Sequence, residues 1–287
     1  MNVTVISDEY SQDFILAAQY AASAGLKTIE LRSAWNRHCL DLSPAQIGDI
    51  RRARADNGLT ICVLDTFLFK GAWEEFSAHE SGERTRKYVD LAAELSVPWI
   101  RIFGFWATGG PSVDALSELV LEVSDLCRSR GIGLLVENGT FTTIAEGHSL
   151  ARLLERVDRK DVRALWDPAN VRNGGWPEDS GSGLRALGRR IAHVHVKNPH
   201  RNGATGAMSY GTLAGGLVDW SEQLRLLAET GFEGYLSLET HARPDRVIPQ
   251  SLLNFPEGDI FSDGGQTVTD TMLADLREMM HREPAYA

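Results

Sequence analysis

The chain has 287 residues, 43% of them hydrophobic and 24% charged, a balance that allows a full-sized core and excludes a disordered or low-complexity protein. Its formal net charge of -10 argues against a nucleic-acid partner, because such binding draws most of its non-specific affinity from Lys and Arg against phosphates. No apolar run approaches the length of a membrane-spanning helix, which removes the membrane from the expected partners.

MNVTVISDEY lacks the basic segment and long apolar stretch of a signal peptide, and residues 2–7 read as a strand. Ser11 is placed to cap a helix running through FILAAQYAASAG to a stop at Gly25. TIELR (28–32) is the next strand, and Ser43-Pro44 opens a helix that ends before Gly58. TICVLD (60–65) precedes an aromatic loop, FLFKGAWEEF, and a helix near 81–96. WIRIF (99–103) leads through GFWATGG to a helix over 112–130. GLLVEN (133–138), VRALWD (162–167) and IAHVHV (191–196) follow with helical segments between them, the last of these short and broken by glycines. Asp219-Trp220 opens another helix, GYLSLE (234–239) is the eighth strand, and a final helix covers 266–282. Cys39, Cys62 and Cys127 are odd in number, far apart and without a CxxC, which fits reduced thiols in the cytoplasm.

Strict alternation of strand and helix makes a parallel sheet. Eight such units in about 250 residues point to a single (β/α)₈ TIM barrel over 1–287, with long loops after strands seven and eight (198–218 and 240–265). An open doubly wound sheet is the competitor. The barrel is preferred because its curvature brings the ends of strands five to eight round one mouth, where an open sheet would fan them out.

HVHVKN (193–198) alternates His193, His195 and Lys197 with Val194 and Val196, so the polar residues share one side of the strand. Three other apolar runs end in an acid, at Glu137, Asp167 and Glu239. Taken singly, Asp167 before Pro168 would pass as a turn residue, Glu239 as a solvated strand end and His195 as a core histidine. Together they stand on four successive strand ends spaced ~4.8 Å apart, and side chains there reach one point. Three buried carboxylates repel one another unless a cation joins them. Carboxylate and imidazole donors suit one divalent ion, Mn²⁺ ahead of Mg²⁺ and Co²⁺, with Zn²⁺ also accommodated. Lys197 and His193 share the inward phase of His195, as substrate contacts or as support for the ligands, and Glu30, Arg32 and Arg101 are inward on their own strands. Phe67, Phe69, Trp73, Phe105, Trp106 and Trp176 follow strands on the mouth side, where they either cover a sugar ring or pack the loops.

The runs IELR, IRIFG, VEN, DPAN, HVHVK and VDWSEQLRLLAETGFEGYLSLE resemble the xylose isomerase-like barrel superfamily of sugar isomerases and epimerases, which also holds inosose dehydratases and the endonuclease IV branch. The resemblance implies that Glu137, Asp167, His195 and Glu239 hold the metal. It also implies substrate contacts for Arg201, six residues beyond the ligand histidine, and for the position three beyond the ligand aspartate. In the keto-sugar epimerases that position is a histidine, whereas here it is Asn170, and a second glutamate six beyond the first ligand is here Thr143. The substrate of those epimerases is therefore not carried over.

What the resemblance implies is a metal-dependent isomerase or epimerase of a small keto-sugar or derivative, with proton transfer through an enediolate. Glu137 and Glu239 are then the catalytic base and acid, and Arg201, Lys197, Asn170, His193, Arg101 and Glu30 are the substrate-binding set. A lyase on the same metal, of the inosose or 3-keto-glycoside dehydratase type, is the alternative, followed by an endonuclease IV-like phosphodiesterase and a non-catalytic sugar-binding barrel. The expected partner is a small carbohydrate, together with further copies of the chain if it assembles.

Overall fold

The computed structural model describes residues 1–254 and 259–282. Eight parallel strands form one sheet: β1 (Asn2–Val5), β2 (Thr28–Leu31), β3 (Thr60–Asp65), β4 (Trp99–Ile102), β5 (Gly133–Glu137), β6 (Val162–Trp166), β7 (Ile191–Val196) and β8 (Tyr235–Leu238). They neighbour one another in chain order from β2 through to β8, and β8 pairs with β1. A parallel bridge from Ile6 to Glu30 draws the remaining seam together, so the sheet is a nearly closed TIM barrel.

The barrel helices are α1 (Phe14–Ser23), α2 (Pro44–Asp56), α3 (Ala78–Glu94), α4 (Val113–Arg128), α5 (Gly147–Val157), α6 (Ser180–Leu187), α7 (Trp220–Glu229) and α8 (Gly265–Arg282). Their starts follow capping chemistry. Ser43 accepts from the Gln46 amide in a full capping box with Pro44 in the first turn, and Asp219 accepts from Glu222 N. Their inward stripes have helical spacing, as with Leu116, Val120, Val123 and Cys127 on α4. Val194 and Val196 of β7 belong to the buried shell between sheet and helices. Inside the barrel a second apolar group, Cys62, Val63, Leu135 and Leu165, fills the lower layer and leaves the carboxyl ends of the strands to polar side chains.

Five local details differ from the sequence reading. Residues 7–10 form a buried helical turn, so α1 is capped by Asp13 and not by Ser11. The connection after β6 holds two helices, the short Pro168–Asn173 and α6. A two-stranded ribbon, Ser33–Ala34 with Arg37–His38, follows β2. The loop after β7 is ordered by another ribbon, Pro199–Arg201 with Met208–Tyr210. The loop after β8 carries the short helices Gln250–Asn254 and Asp259–Ser262, and its residues 255–258 lie outside the described residues. Among the described residues no helix is long and apolar enough to cross a membrane.

Candidate metal centre

β5, the end of β6, β7 and the end of β8 bring Glu137, Asp167, His195 and Glu239 together. Each offers one donor atom, all four within 4.8 Å of one another and all buried. The imidazole of His195 is held from below, its Nε2 3.1 Å from Glu30 Oε1. With Nε2 donating to that carboxylate, Nδ1 turns its lone pair toward Glu239 Oε2 at 3.2 Å and Glu137 Oε1 at 3.5 Å. Glu30 also accepts from His193 Nε2 at 2.9 Å and from Ser237 Oγ at 2.5 Å. Burial pushes its carboxyl up, but His193 and His195 outweigh burial and hold it well below the usual range.

Asp167 caps the short helix that follows it: Oδ1 accepts from Asn170 N at 3.1 Å. The backbone thus fixes one oxygen, and the other, Oδ2, is ion-paired with Lys197 Nζ at 2.5 Å. Burial, reinforced by Glu239 and Glu137 and opposed by Lys197, raises this acid to about 6. Glu137 is pinned by an ion pair with Arg101 and by Asn170 Nδ2 at 3.2 Å. Burial raises it, yet Arg101 and His195 bring it down to about 2. Glu239 is paired with Lys197 and with Arg32 Nη1 at 2.5 Å, and against the effect of burial its carboxyl is held well below the usual range.

These residues fit a divalent cation. His195 Nδ1 and the oxygens of Glu137, Asp167 and Glu239 converge as three carboxylates and one imidazole, mutually repelling acids that a cation would join and a donor set for a hard to borderline ion. Glu30, His193 and His195 also satisfy a metal-site geometry. Their contacting atoms are already occupied by one another and by Ser237, so this trio works as the support that orients His195.

The counter-charges come from the other half of the barrel. Beyond β1 lie Asp8 and Glu9, beyond β2 Arg32, at the end of β3 Asp65, and on β4 Arg101. Arg32 joins Asp8 at 2.7 Å, Glu9 at 3.0 Å and Glu239. Arg101 joins Asp65 at 3.2 Å and Glu137. Arg243 lies 3.3 Å from Glu9, and His241 Nε2 lies 3.3 Å from Glu239 Oε1. Strands β5 to β8 therefore supply the quartet; Glu30, Arg32 and Arg101 pin it from β2 and β4, and Lys197, Asn170 and His241 pin it from its own half of the barrel.

Above the quartet opens a cavity of about 660 Å³ lined by Arg101, Lys197 and Asn170 among others. His193 and Glu30 are buried behind His195, where they hold the imidazole, and are not in the cavity's lining. Arg201 is likewise absent from the lining: it is exposed where its ribbon strand turns it to solvent, and Tyr210, from the returning strand, faces the cavity.

Asp8, Glu9, Asp65, Lys70, Tyr210 and His241 were not singled out by sequence. Asp65 ends an apolar strand run as the quartet acids do, and the same criterion would have found it. Lys70 lines the cavity with its Nζ 4.9 Å from the Phe103 ring and 5.2 Å from the Phe67 ring. Burial, then the charge of Arg101, hold its ammonium down to about 7.

The comparisons agree with this architecture. A family model described as xylose isomerase-like TIM barrel matches residues 18–259. No curated protein matches the chain by sequence. Among solved structures, a D-allulose 3-epimerase from Methylomonas sp. in complex with D-allulose superposes with a TM-score of 0.75 at 18% identity, covering 97% of each chain. A probable 3-DHS dehydratase from Bacillus anthracis gives 0.72 at 16%, over 96% of this chain and 99% of the other. A xylose isomerase-like TIM barrel protein from Mycobacterium smegmatis in complex with magnesium gives 0.70 at 19%, over 96% and 89%. A family model spanning most of the chain, and barrels superposing along nearly its whole length, make it a member of the xylose isomerase-like TIM barrel family.

Proposed function

We propose that this protein catalyses proton transfer at a carbon next to the carbonyl of a small keto-sugar or sugar derivative, as an isomerase or epimerase with Mn²⁺ as its ion. The observation that carries this is the buried quartet of three carboxylates and one imidazole, with donor atoms within 4.8 Å of one another, set at the floor of a cavity open to a ligand. Glu137, Asp167, His195 and Glu239 would hold the ion, which supplies Lewis-acid stabilisation of negative charge on the substrate oxygen. Glu137 and Glu239 act on opposite sides of the reacting carbon. Arg101 and Asn170 fix the first carboxylate and Arg32 and Lys197 the second; in each turnover the one that is ionised takes the α-proton at a carboxylate oxygen, and the other, having taken a proton from water beforehand, returns it to the opposite face. Lys197 and Arg101, on the cavity wall, orient hydroxyl groups of the substrate. The three cysteines are free and buried, consistent with work in the cytoplasm.

The test is exchange of the substrate α-hydrogen with deuterated water on metal-loaded protein. We expect deuterium in substrate or product, and turnover with no incorporation in either would remove proton transfer from the reaction. A lyase is the second reading. It is favoured by the loss of the epimerase substrate contacts: Arg201 is turned to solvent, and Asn170 and Thr143 replace a histidine and a glutamate. Product mass separates the two, since loss of water or of an aglycone marks elimination.

A further inference from the structure

The cavity above the quartet has two unlike ends. At its floor Glu137 and Glu239 are 2% and 4% exposed. At its rim Trp106 and Phe141 are 42% and 58% exposed, two of the six large apolar side chains left open to water among the described residues. Aromatic area held in water forgoes its burial free energy, so the placement calls for an occupant.

Packing of the loops does not require these two rings. Phe69, Trp73, Phe76 and Phe105 already stack on one another, with centroids 4.9 to 6.1 Å apart. The backbone beneath the exposed pair is fixed. Trp106 N donates to Gly71 O at 3.0 Å, Ala107 N to Phe141 O at 2.8 Å, and Thr143 N to Phe105 O at 2.9 Å. An antiparallel bridge joins Trp106 to Thr142, locking the loops after β4 and β5 together. Gly110 completes the lock, since a Cβ there would come within 2.5 Å of Trp106 O. Rings presented on a pre-ordered backbone cost little entropy when a ligand meets them. The volume points the same way: at about 660 Å³ the cavity is in the range of clefts that enclose a drug-sized ligand, more than one sugar ring fills.

We propose that the substrate is a two-ring molecule, a carbohydrate whose reacting carbon reaches Glu137 and Glu239 and which carries a flat apolar-faced ring, as in an aryl glycoside, held at the rim by Trp106 and Phe141. This names the substrate class of the function proposed above and rests on that reading for the floor of the site.

The experiment is calorimetric titration of the Mn²⁺-loaded protein with methyl and phenyl β-D-glucopyranoside and with the corresponding galactopyranoside pair. The phenyl members should bind about ten-fold tighter, the scale of an aromatic contact. That gain should disappear in Trp106→Ala and Phe141→Ala and persist in Trp106→Phe, with the methyl members unaffected. Phenyl members binding no tighter than methyl ones, whether both bind or neither does, would overturn the proposal. So would variants that change the sedimentation of the free protein and leave ligand binding untouched, which would give the rim to a second copy of the chain. These probes need no turnover, so absence of α-hydrogen exchange would sink the chemistry and leave the two-ring site standing, and the reverse holds as well.

Discussion

Glu30 shows most directly how one side chain sets the chemistry of another. It is fully buried, touches no cavity, and decides which nitrogen of His195 faces the quartet. Replacing it with Gln should leave the protein folded and weaken Mn²⁺ binding by about 10- to 100-fold, the usual effect of losing such a partner, measured by metal titration. Unchanged affinity would mean that β7 alone orients the ring. Lys70 belongs to the same scale. Lys70→Met removes a side chain that is cationic below about pH 7 but none of the quartet, so metal content should be unchanged while KM measured near pH 6 rises by roughly ten-fold, the value of one charged contact. A fall in kcat at constant KM would place Lys70 in the chemical step. The quartet was legible in the sequence because strand phase and a terminal acid coincide at Glu137, Asp167 and Glu239. Lys70 was not, because its loop has no periodicity to say which side chains face inward.

Among the elements, the short helix Pro168–Asn173 explains why DPAN carries two duties. Asp167 serves as its cap through Oδ1 and stands in the quartet through Oδ2, so a turn residue and a candidate ligand are the same side chain. Caps of ordinary kind have simpler consequences. Ser43→Ala should cost about 1 kcal/mol through the lost capping box of α2, read as a lower urea midpoint with metal binding intact. The ribbon after β7 separates spacing from position. Counting six residues past His195 finds Arg201, but the ribbon carries the chain outward, and Pro199, His200 and Arg201 pass from buried to exposed in three steps. Spacing along a chain predicts a contact only while the backbone between keeps its path. The first helix erred for a related reason, since residues 7–10 leave the strand to fold Asp8 and Glu9 inward onto Arg32.

For the whole molecule, the buried charges tie stability to metal and to pH. An ion that binds only the folded protein stabilises it by about 2.7 kcal/mol at a hundred times its dissociation constant. Mn²⁺ at that excess should raise the melting temperature of chelator-treated protein by roughly 5 °C, and Glu239→Gln should lose the response. Acid acts through Glu9. Burial raises its carboxyl, but Arg243, His241 and Arg32 bring it down to about 2 from an ordinary 4.5. Because the folded value is the lower one, its contribution is complete above about pH 4.5 and is lost as pH falls toward 2, with a slope of up to ~1.4 kcal/mol per pH unit. Circular dichroism through that window should show a shallower loss for Glu9→Gln than for the parent. Most of the barrel could be read from its alternation, since each strand and helix is specified by its neighbours in sequence. Strand phase placed Glu30, Arg32, Arg101 and Lys197 inward, but not which acid each one meets, because partners such as Arg32 and Glu239 are far apart in the chain.

That separation also has a kinetic meaning. Arg32 reaches Glu239 across 207 residues, and Thr240 reaches Glu9 across 231. During synthesis the counter-charges of β1 to β4 emerge first and wait, while the last acid arrives only with β8. Long-range closures of this kind come late in folding, since the chain must give up its freedom before they form. If the quartet holds an ion as proposed, its capture is the final event in the maturation of the barrel, and a metal-responsive signal followed during refolding should lag behind the appearance of helix.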